Sequence, residues 1–188
     1  MATAARLSVK GHQVTIVEQS DQVGGKAGAY SRDGFVFDTG PSLITLPAVY
    51  RDLFLKTGTS LEDNVDLQPV EPGTSYRWSD GTRVTLPGVN PAAAATALGD
   101  ALGGTAREDW LALIARAAEI WRITRKPFLE SPLTGTRELL ALAKSPRDVR
   151  TVAPTTSLRG LGRKYLRDPR LRMLLDRYAT YSGSDPRK

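Results

Sequence analysis

The 188-residue sequence is 40% hydrophobic and 24% charged, an ordinary globular composition that argues against a disordered chain. It has no cysteine and one histidine, His12, which excludes disulfides and thiolate chemistry and makes an imidazole metal site or a Ser-His-Asp triad unexpected. The net charge of +6 arises at the C-terminal end: residues 146–188 carry +7, whereas residues 1–145 carry −1. A basic end can attract a membrane or nucleic acid, but a solvated arginine-rich helix face is the simpler interpretation.

No apolar segment approaches the roughly 18 to 20 residues that span a bilayer, and the N-terminus lacks a signal-type apolar core. We therefore expect a cytoplasmic protein, with the inner face of the membrane as a surface that it could contact peripherally. Nucleic acid is not an expected partner, because the basic excess has no accompanying recognition motif.

The chain begins with helix-forming residues, Ala2 to Lys10, followed by Gly11 as a natural helix stop. The β-branched run Val14–Val17 then predicts a buried strand that ends on Glu18. In a dinucleotide-binding βαβ unit, the second strand delivers an acidic residue to the adenosine ribose. Glu18 is in that position, whereas the glycine-rich turn about 20 residues upstream in that fingerprint is absent.

A glycine-rich segment, Gly24–Gly28 (GGKAG), follows Glu18. Paired glycines permit positive φ and close approach of the backbone to a ligand, and Lys26 could face a pyrophosphate. The alternative is an ordinary glycine-rich turn, and the spacing from Glu18 favours the cofactor interpretation.

Two short strands, at residues 29–31 and 35–38, are predicted to form a hairpin around Asp33-Gly34. The hairpin leads into Thr39-Gly40-Pro41-Ser42, where the chain must turn and where Gly40 offers a surface without a side chain. The alternative is a plain turn before a helix over residues 48–56, with Pro47 at its first position and Gly58 at its end.

Three further strands are predicted at residues 65–70, 75–78 and 83–86, as an antiparallel meander. Tyr76 and Trp78 lie on the second of these strands. Packing against the protein interior can explain them, because one face of a meander must be covered.

The remainder is predicted to be helical. Asn90-Pro91 starts a helix that Gly103 ends, and Thr105 with Glu108 forms a capping-box pattern for a helix reaching about Arg125. A stripe on that helix favours a core position over a membrane-facing or substrate-tunnel position; its residues are Trp110, Leu113, Ile114, Ala117, Ile120 and Trp121.

After that helix, residues 135–144 are predicted as a short amphipathic helix and residues 147–157 as a linker. Residues 158–166 are weakly helical because of two glycines. Asp168-Pro169 then caps a final helix that ends near Gly183.

Three segments carry a family resemblance: the strand ending VEQ at Glu18, GGKAG at Gly24–Gly28, and DGFVFDTGPSLITLP at Asp33–Pro47. Together they resemble the FAD-binding region of the carotenoid (phytoene) desaturase family, within the amine-oxidase-like flavoproteins. The resemblance implies that FAD is the cofactor and assigns the following cofactor-binding residues: Glu18 at the ribose; Gly24, Gly25, Lys26 and Gly28 along the cofactor; and Gly40, Pro41 and Ser42 near the flavin. No residue is assigned as a catalytic acid or base, and no metal is expected.

The expected fold class is α/β (α+β), with three parts: an incomplete Rossmann-like FAD-binding region at 1–60, an antiparallel β part at 61–89, and a helical substrate or membrane-associating part at 90–188. Because the family's first strand and glycine turn would precede Met1, we expect Met1 to be an internal methionine or the chain to be a natural fragment.

The function that the resemblance implies is dehydrogenation of a long apolar, carotenoid-like polyene with flavin as hydride acceptor. In the resembling family the β part begins the region that lines the substrate site, so Tyr76 and Trp78 could face this substrate, and interior packing explains them equally well. Two alternatives stay open. One is another FAD-dependent oxidoreductase of the same fold, acting on an amine, a retinoid or another lipid. The other is a non-catalytic fragment whose basic C-terminal helices bind a membrane surface or a protein partner.

Overall fold

A computed structural model describes residues 1–88, 90–132, 135 and 145–186. The chain folds as two compact units, unit 1 at residues 1–68 and unit 2 at residues 69–188. Each unit has its own short antiparallel hairpin and its own helices.

Unit 1 contains α1 (Ala2–Ser8), the strands β1 (Ala29–Arg32) and β2 (Phe35–Asp38), and α2 (Pro47–Thr57). Asp33 and Gly34 have φ angles of 51° and 83°, the paired positive values that a two-residue hairpin turn requires. The predicted hairpin is therefore confirmed.

Helix α2 also forms as predicted. Pro47 lies in its first turn and Gly58 ends it with φ of 115°. An exposed ion pair joins the two helices of unit 1, with Arg6 Nη2 lying 3.3 Å from Asp52 Oδ2.

The strand predicted at Val14–Val17 is wrong. These residues have no regular secondary structure, and Ile16 and Val17 expose 55% and 91% of their surface. A β-branched run becomes a strand only when a neighbouring strand supplies partners for its backbone N–H and C=O groups. Within the described ranges, only β1 with β2 and β3 with β4 are paired, so the Rossmann-like unit stays a prediction.

Unit 2 begins with β3 (Thr74–Arg77) and β4 (Arg83–Leu86), which pair antiparallel with Thr74 opposite Leu86. The strand predicted at residues 65–70 is wrong, since those residues form no ladder. The meander is thus a single hairpin, and its inner face buries Val84 and Leu86.

Among the residues that the structure describes, unit 2 contains the helices α3 (Pro91–Leu102), α4 (Ala106–Leu129), α5 (Pro146–Val152), α6 (Leu158–Tyr165) and α7 (Pro169–Asp176), followed by a 3₁₀ helix at Arg177–Ser182. The Asn90 side chain accepts hydrogen bonds from the N–H groups of Ala92 and Ala93, which confirms the predicted start of α3. Asp168 likewise accepts from the N–H of Arg170 and caps α7.

Two predictions for unit 2 are wrong, one of a helix cap and one of a linker. The capping box at Thr105 does not form, because the hydroxyl of Thr105 bonds to Asp109 Oδ2 at 3.2 Å instead of to backbone N–H. The linker predicted at residues 147–157 contains most of α5, which Ser145 caps and which Pro146 starts. The helix predicted at residues 135–144 lies outside the described residues, apart from position 135.

The hydrophobic core lies in unit 2, where the β3–β4 hairpin packs with α3, α4, α6 and α7. Its buried residues are Trp78, Val84, Leu86, Ala95, Leu98, Ala106, Trp110, Leu113, Leu166, Leu171, Leu174 and Leu175. The predicted stripe of α4 is core only in its first half, since Trp121 is 42% exposed. No helix in the described residues is long and apolar enough to cross a bilayer.

Candidate functional site

The hairpin of unit 1 brings two of the predicted cofactor segments together. The Gly24–Gly28 segment leads into β1, and residues 39–42 leave β2, so both lie at the open end of the hairpin. The N–H of Thr39 donates to the carbonyl of Gly28 at 3.0 Å and continues the ladder by one step. Local antiparallel pairing therefore positions segments that the sequence separates by about ten residues.

Gly40 allows these segments to touch. A Cβ at this position would lie 1.6 Å from the Lys26 carbonyl oxygen and 3.4 Å from Ala27 Cα. No other residue fits without moving the backbone. The surface that Gly40 leaves free of a side chain is thus filled by the chain itself, which differs from the expectation that a ligand plane would rest on it.

The conformation of the Gly24–Gly28 segment also depends on its glycines. Gly24 and Gly25 have φ angles of 121° and 58°, and the N–H of Ala27 donates to the Gly24 carbonyl at 3.1 Å, closing a turn. The space that a Cβ of Gly25 would occupy is empty, whereas a Cβ of Gly28 would lie 3.1 Å from Thr39 Oγ1. Gly25 therefore provides the open backbone face of this segment.

Charge at the site comes from Lys26 and Glu18, both exposed. Glu18 Oε1 accepts hydrogen bonds from the N–H and the hydroxyl of Ser20, each at 3.0 Å. These bonds lower the pKa of the Glu18 carboxyl, the backbone bond contributing most, so the group is ionised at neutral pH. An ionised carboxylate with a second oxygen available is a suitable acceptor for ribose hydroxyls.

Three predicted residues, Glu18, Pro41 and Ser42, do not take part in the described contact between the two segments. Among the residues that the structure describes, no hydrogen bond or ion pair joins Glu18 to residues 24–28 or 39–42. Pro41 and Ser42 follow Gly40 as exposed residues without regular structure. The candidate site therefore consists of two loops in contact with each other, residues 24–28 and residues 39–42. The Glu18 carboxylate is a separate hydrogen-bond acceptor earlier in the chain.

Ser20 and Thr39 contribute to this arrangement, although neither was among the predicted cofactor-binding residues. Ser20 orients the Glu18 carboxylate, and its hydroxyl also lies 2.6 Å from the Gln22 carbonyl oxygen. A serine two residues after an acidic side chain is a local signal for such a turn. The hydrogen bond from Thr39 to Gly28, by contrast, depends on the register of the hairpin and has no such local sequence signal.

The two aromatic residues considered as substrate contacts belong to unit 2. Trp78 is 8% exposed and lies in the core, and Tyr76 stacks on it with ring centroids 6.1 Å apart. The Tyr76 hydroxyl accepts a hydrogen bond from Arg177 Nη1 at 2.8 Å. Interior packing therefore accounts for Trp78 and for much of Tyr76.

The described geometry is compatible with a nucleotide-type cofactor: glycine-dependent backbone turns, an open face at Gly25, an exposed cation and an ionised acceptor. Comparison with known proteins also indicates a flavin-binding family. Residues 1–179 match the family described as flavin containing amine oxidoreductase. The chain belongs to this family of flavin-containing oxidoreductases.

Individual relatives show a more specific similarity than the family match does. The chain is 30% identical over its whole length to a 4,4'-diapophytoene desaturase (4,4'-diaponeurosporene-forming) of Staphylococcus haemolyticus. It is 28% identical over 99% of its length to a 4,4'-diapolycopene oxygenase of Methylomonas sp. In both comparisons the chain spans 37% of the relative's length. A 4,4'-diapophytoene desaturase of Staphylococcus aureus is 37% identical over 46% of this chain and 17% of its own.

Proposed function

We propose that this chain is part of an FAD-dependent oxidoreductase that dehydrogenates a long apolar polyene of the carotenoid type. The observation that carries the proposal is the contact of Thr39 and Gly40 with the Gly24–Gly28 segment, in a chain of the flavin-containing family. A glycine-dependent contact of this kind is expected where two backbone segments must be held close beside a cofactor.

In this proposal each part of the site has a separate task. The Glu18 carboxylate accepts hydrogen bonds from the adenosine ribose, and its low pKa keeps it an acceptor at neutral pH. Gly25 presents its open backbone face, with Lys26 as a counter-charge to the pyrophosphate. Residues 40–42 lie toward the isoalloxazine ring. Bound FAD supplies the hydride acceptor, and no side chain is assigned as acid or base.

The substrate class is supported by the names of the relatives. The desaturase and the oxygenase are named after diapophytoene and diapolycopene, respectively. Dehydrogenation is preferred because the desaturase relatives include the more identical matches. An oxygenase is the second candidate, because the Methylomonas relative matches nearly the whole chain.

A substrate of this kind resides in lipid, so we also propose peripheral contact with the inner face of the membrane. The second half of α4 supports this proposal. Trp121 and Phe128, seven residues apart on the same helix face, are 42% and 41% exposed. Arg122 and Lys126 lie in the same stretch, the composition of an interfacial helix. Co-sedimentation with anionic vesicles should fall for Trp121→Ala and not for Leu7→Ala.

A flavin titration tests the cofactor assignment. FAD and FMN are added to the chain, and quenching of flavin fluorescence reports binding. Because FMN lacks the adenosine ribose, Glu18→Gln should weaken FAD binding by roughly tenfold and leave FMN binding unchanged. Lys26→Gln should weaken FAD binding, whereas the exposed control Lys10→Gln should not.

Two results would contradict the assignment. One is the absence of FAD binding at millimolar flavin by a folded chain. The other is FAD binding that neither Glu18→Gln nor Lys26→Gln changes, since the cofactor would then be held elsewhere.

A further inference from the structure

The β3–β4 hairpin of unit 2 has an exposed face that the proposed flavin chemistry does not use. Strand residues alternate between faces, and β4 shows this alternation clearly, with Val84 and Leu86 buried and Arg83 and Thr85 exposed. On β3 the exposed positions are Ser75 and Arg77. The exposed face therefore consists of two arginines and two hydroxyl residues.

The two arginines are direct cross-strand neighbours. Arg77 is paired with Arg83 in the register of the hairpin, and side chains at such positions have Cβ atoms about 4.5 to 5.5 Å apart. Like charges placed opposite each other destabilise a hairpin. The pair is therefore an unfavourable arrangement for the free protein.

No acidic side chain in the described part of the chain forms an ion pair with either arginine. Within the described residues, neither Arg77 nor Arg83 forms an ion pair, whereas Arg159 and Arg170 of the same unit pair with Asp176 and Asp168. Asp80, in the turn between the two strands, pairs with Arg170. The two guanidinium groups thus keep their hydrogen-bond donors available to a ligand.

The next cross-strand pair on this face adds a neutral donor. Ser75 is opposite Thr85, and their hydroxyl oxygens lie 2.9 Å apart. One hydroxyl donates to the other, so the second hydroxyl hydrogen can be donated outward. The face presents cationic and neutral donors and no carboxylate.

We propose that this face binds a phosphate group, held between Arg77 and Arg83 with help from the Ser75–Thr85 hydroxyls. Arginine forks match phosphate oxygens in two-point hydrogen bonds, and a dianion between the two arginines replaces their repulsion with attraction. The phosphate belongs either to a small soluble molecule or to a phospholipid headgroup. The site is in unit 2 and is independent of the flavin residues of unit 1.

Calorimetric titration of the chain with inorganic pyrophosphate at constant ionic strength tests this site. Arg77→Gln and Arg83→Gln should each weaken binding by roughly tenfold. Arg107→Gln, an exposed arginine of α4, and Lys10→Gln in unit 1 should leave it unchanged. Without ligand, the first two variants should melt at a higher temperature than the parent, because each removes the like-charge pair.

Vesicles of phosphatidylcholine with and without phosphatidic acid separate the two sources of phosphate. Arginine-dependent binding of pyrophosphate identifies a soluble ligand, and arginine-dependent binding of phosphatidic acid alone identifies a headgroup. If neither probe binds, or if binding is unchanged in both hairpin variants, the proposal is wrong. It is also wrong if Arg107→Gln weakens binding equally. Circular dichroism verifies folding, and Arg83→Ala replaces Arg83→Gln if that variant unfolds.

Discussion

Units 1 and 2 differ in how their hydrophobic residues are used. Among the described residues, every buried hydrophobic side chain except Leu61 belongs to unit 2. In unit 1 the hairpin exposes its apolar side chains on both strands: Tyr30 (51%), Phe35 (66%), Val36 (68%) and Phe37 (56%). Unit 2 is therefore stabilised by its own core, whereas the described apolar side chains of unit 1, apart from Leu61, are not buried.

The largest expected effect is in the core of unit 2. Leu98 is fully buried, so Leu98→Ala should lower the free energy of unfolding by about 2 to 5 kcal/mol. The matched change in unit 1, Val36→Ala at a 68% exposed position, should change it by less than about 0.5 kcal/mol. Urea denaturation followed by circular dichroism measures both. If both variants lowered the free energy of unfolding equally, a buried core would not distinguish unit 2 from unit 1.

The next effect concerns the contact that orders unit 1. Gly40→Ala places a methyl group against the Lys26 carbonyl, and we expect a loss of about 1 to 3 kcal/mol in the stability of this contact. The amide of Thr39, bonded to Gly28, should then exchange its hydrogen faster.

Gly11→Ala is the control for Gly40→Ala. Unlike Gly40, Gly11 has positive φ, at 86°, and a Cβ there would meet no atom within 4 Å, so Gly11→Ala carries a conformational cost but no clash. Unchanged exchange at Thr39 in Gly40→Ala would show that the two segments do not need this contact.

A smaller effect is expected at the start of α7. Asp168 caps the helix through the N–H of Arg170 and accepts from the Arg170 guanidinium at 2.7 Å. Asp168→Ala should cost about 1 kcal/mol, and Asp168→Asn should cost less because its carbonyl still caps. Thermal melts of both variants measure the difference.

The same pair predicts the direction of a pH effect. The Arg170 guanidinium lowers the pKa of the Asp168 carboxyl below its ordinary value of 3.8. The stabilisation is then fully present above pH 3.8 and is lost as the pH falls through the lower value in the folded state. Asp168→Asn should reduce this acid sensitivity. An unchanged acid melting profile would contradict the role of the ion pair.

The contrast between units also explains what the sequence could predict. Helix ends and the unit 1 turn were predictable because Asn90, Pro47, Gly58 and Asp33-Gly34 act on neighbouring backbone. The Val14–Val17 strand was not, because its formation depends on a partner strand elsewhere in the chain. Composition suggested a linker around α5, whereas Ser145 and Pro146 are sufficient to start a helix.

For the site, the glycine segments could be identified from sequence, but their contact could not. The need for glycine at position 40 arises from the Lys26 carbonyl, which local pattern does not reveal. Likewise, the Arg77–Arg83 pair depends on hairpin register. Short-range signals therefore identified the candidate residues, and tertiary geometry determined which of them meet.

Hydrogen exchange of the chain with and without saturating FAD tests the central claim most directly, that unit 1 holds the cofactor. We expect slower exchange at residues 18–28 and 39–42, with the α3 and α4 amides unchanged. Protection confined to unit 2, or no protection by FAD at concentrations that saturate binding, would contradict it.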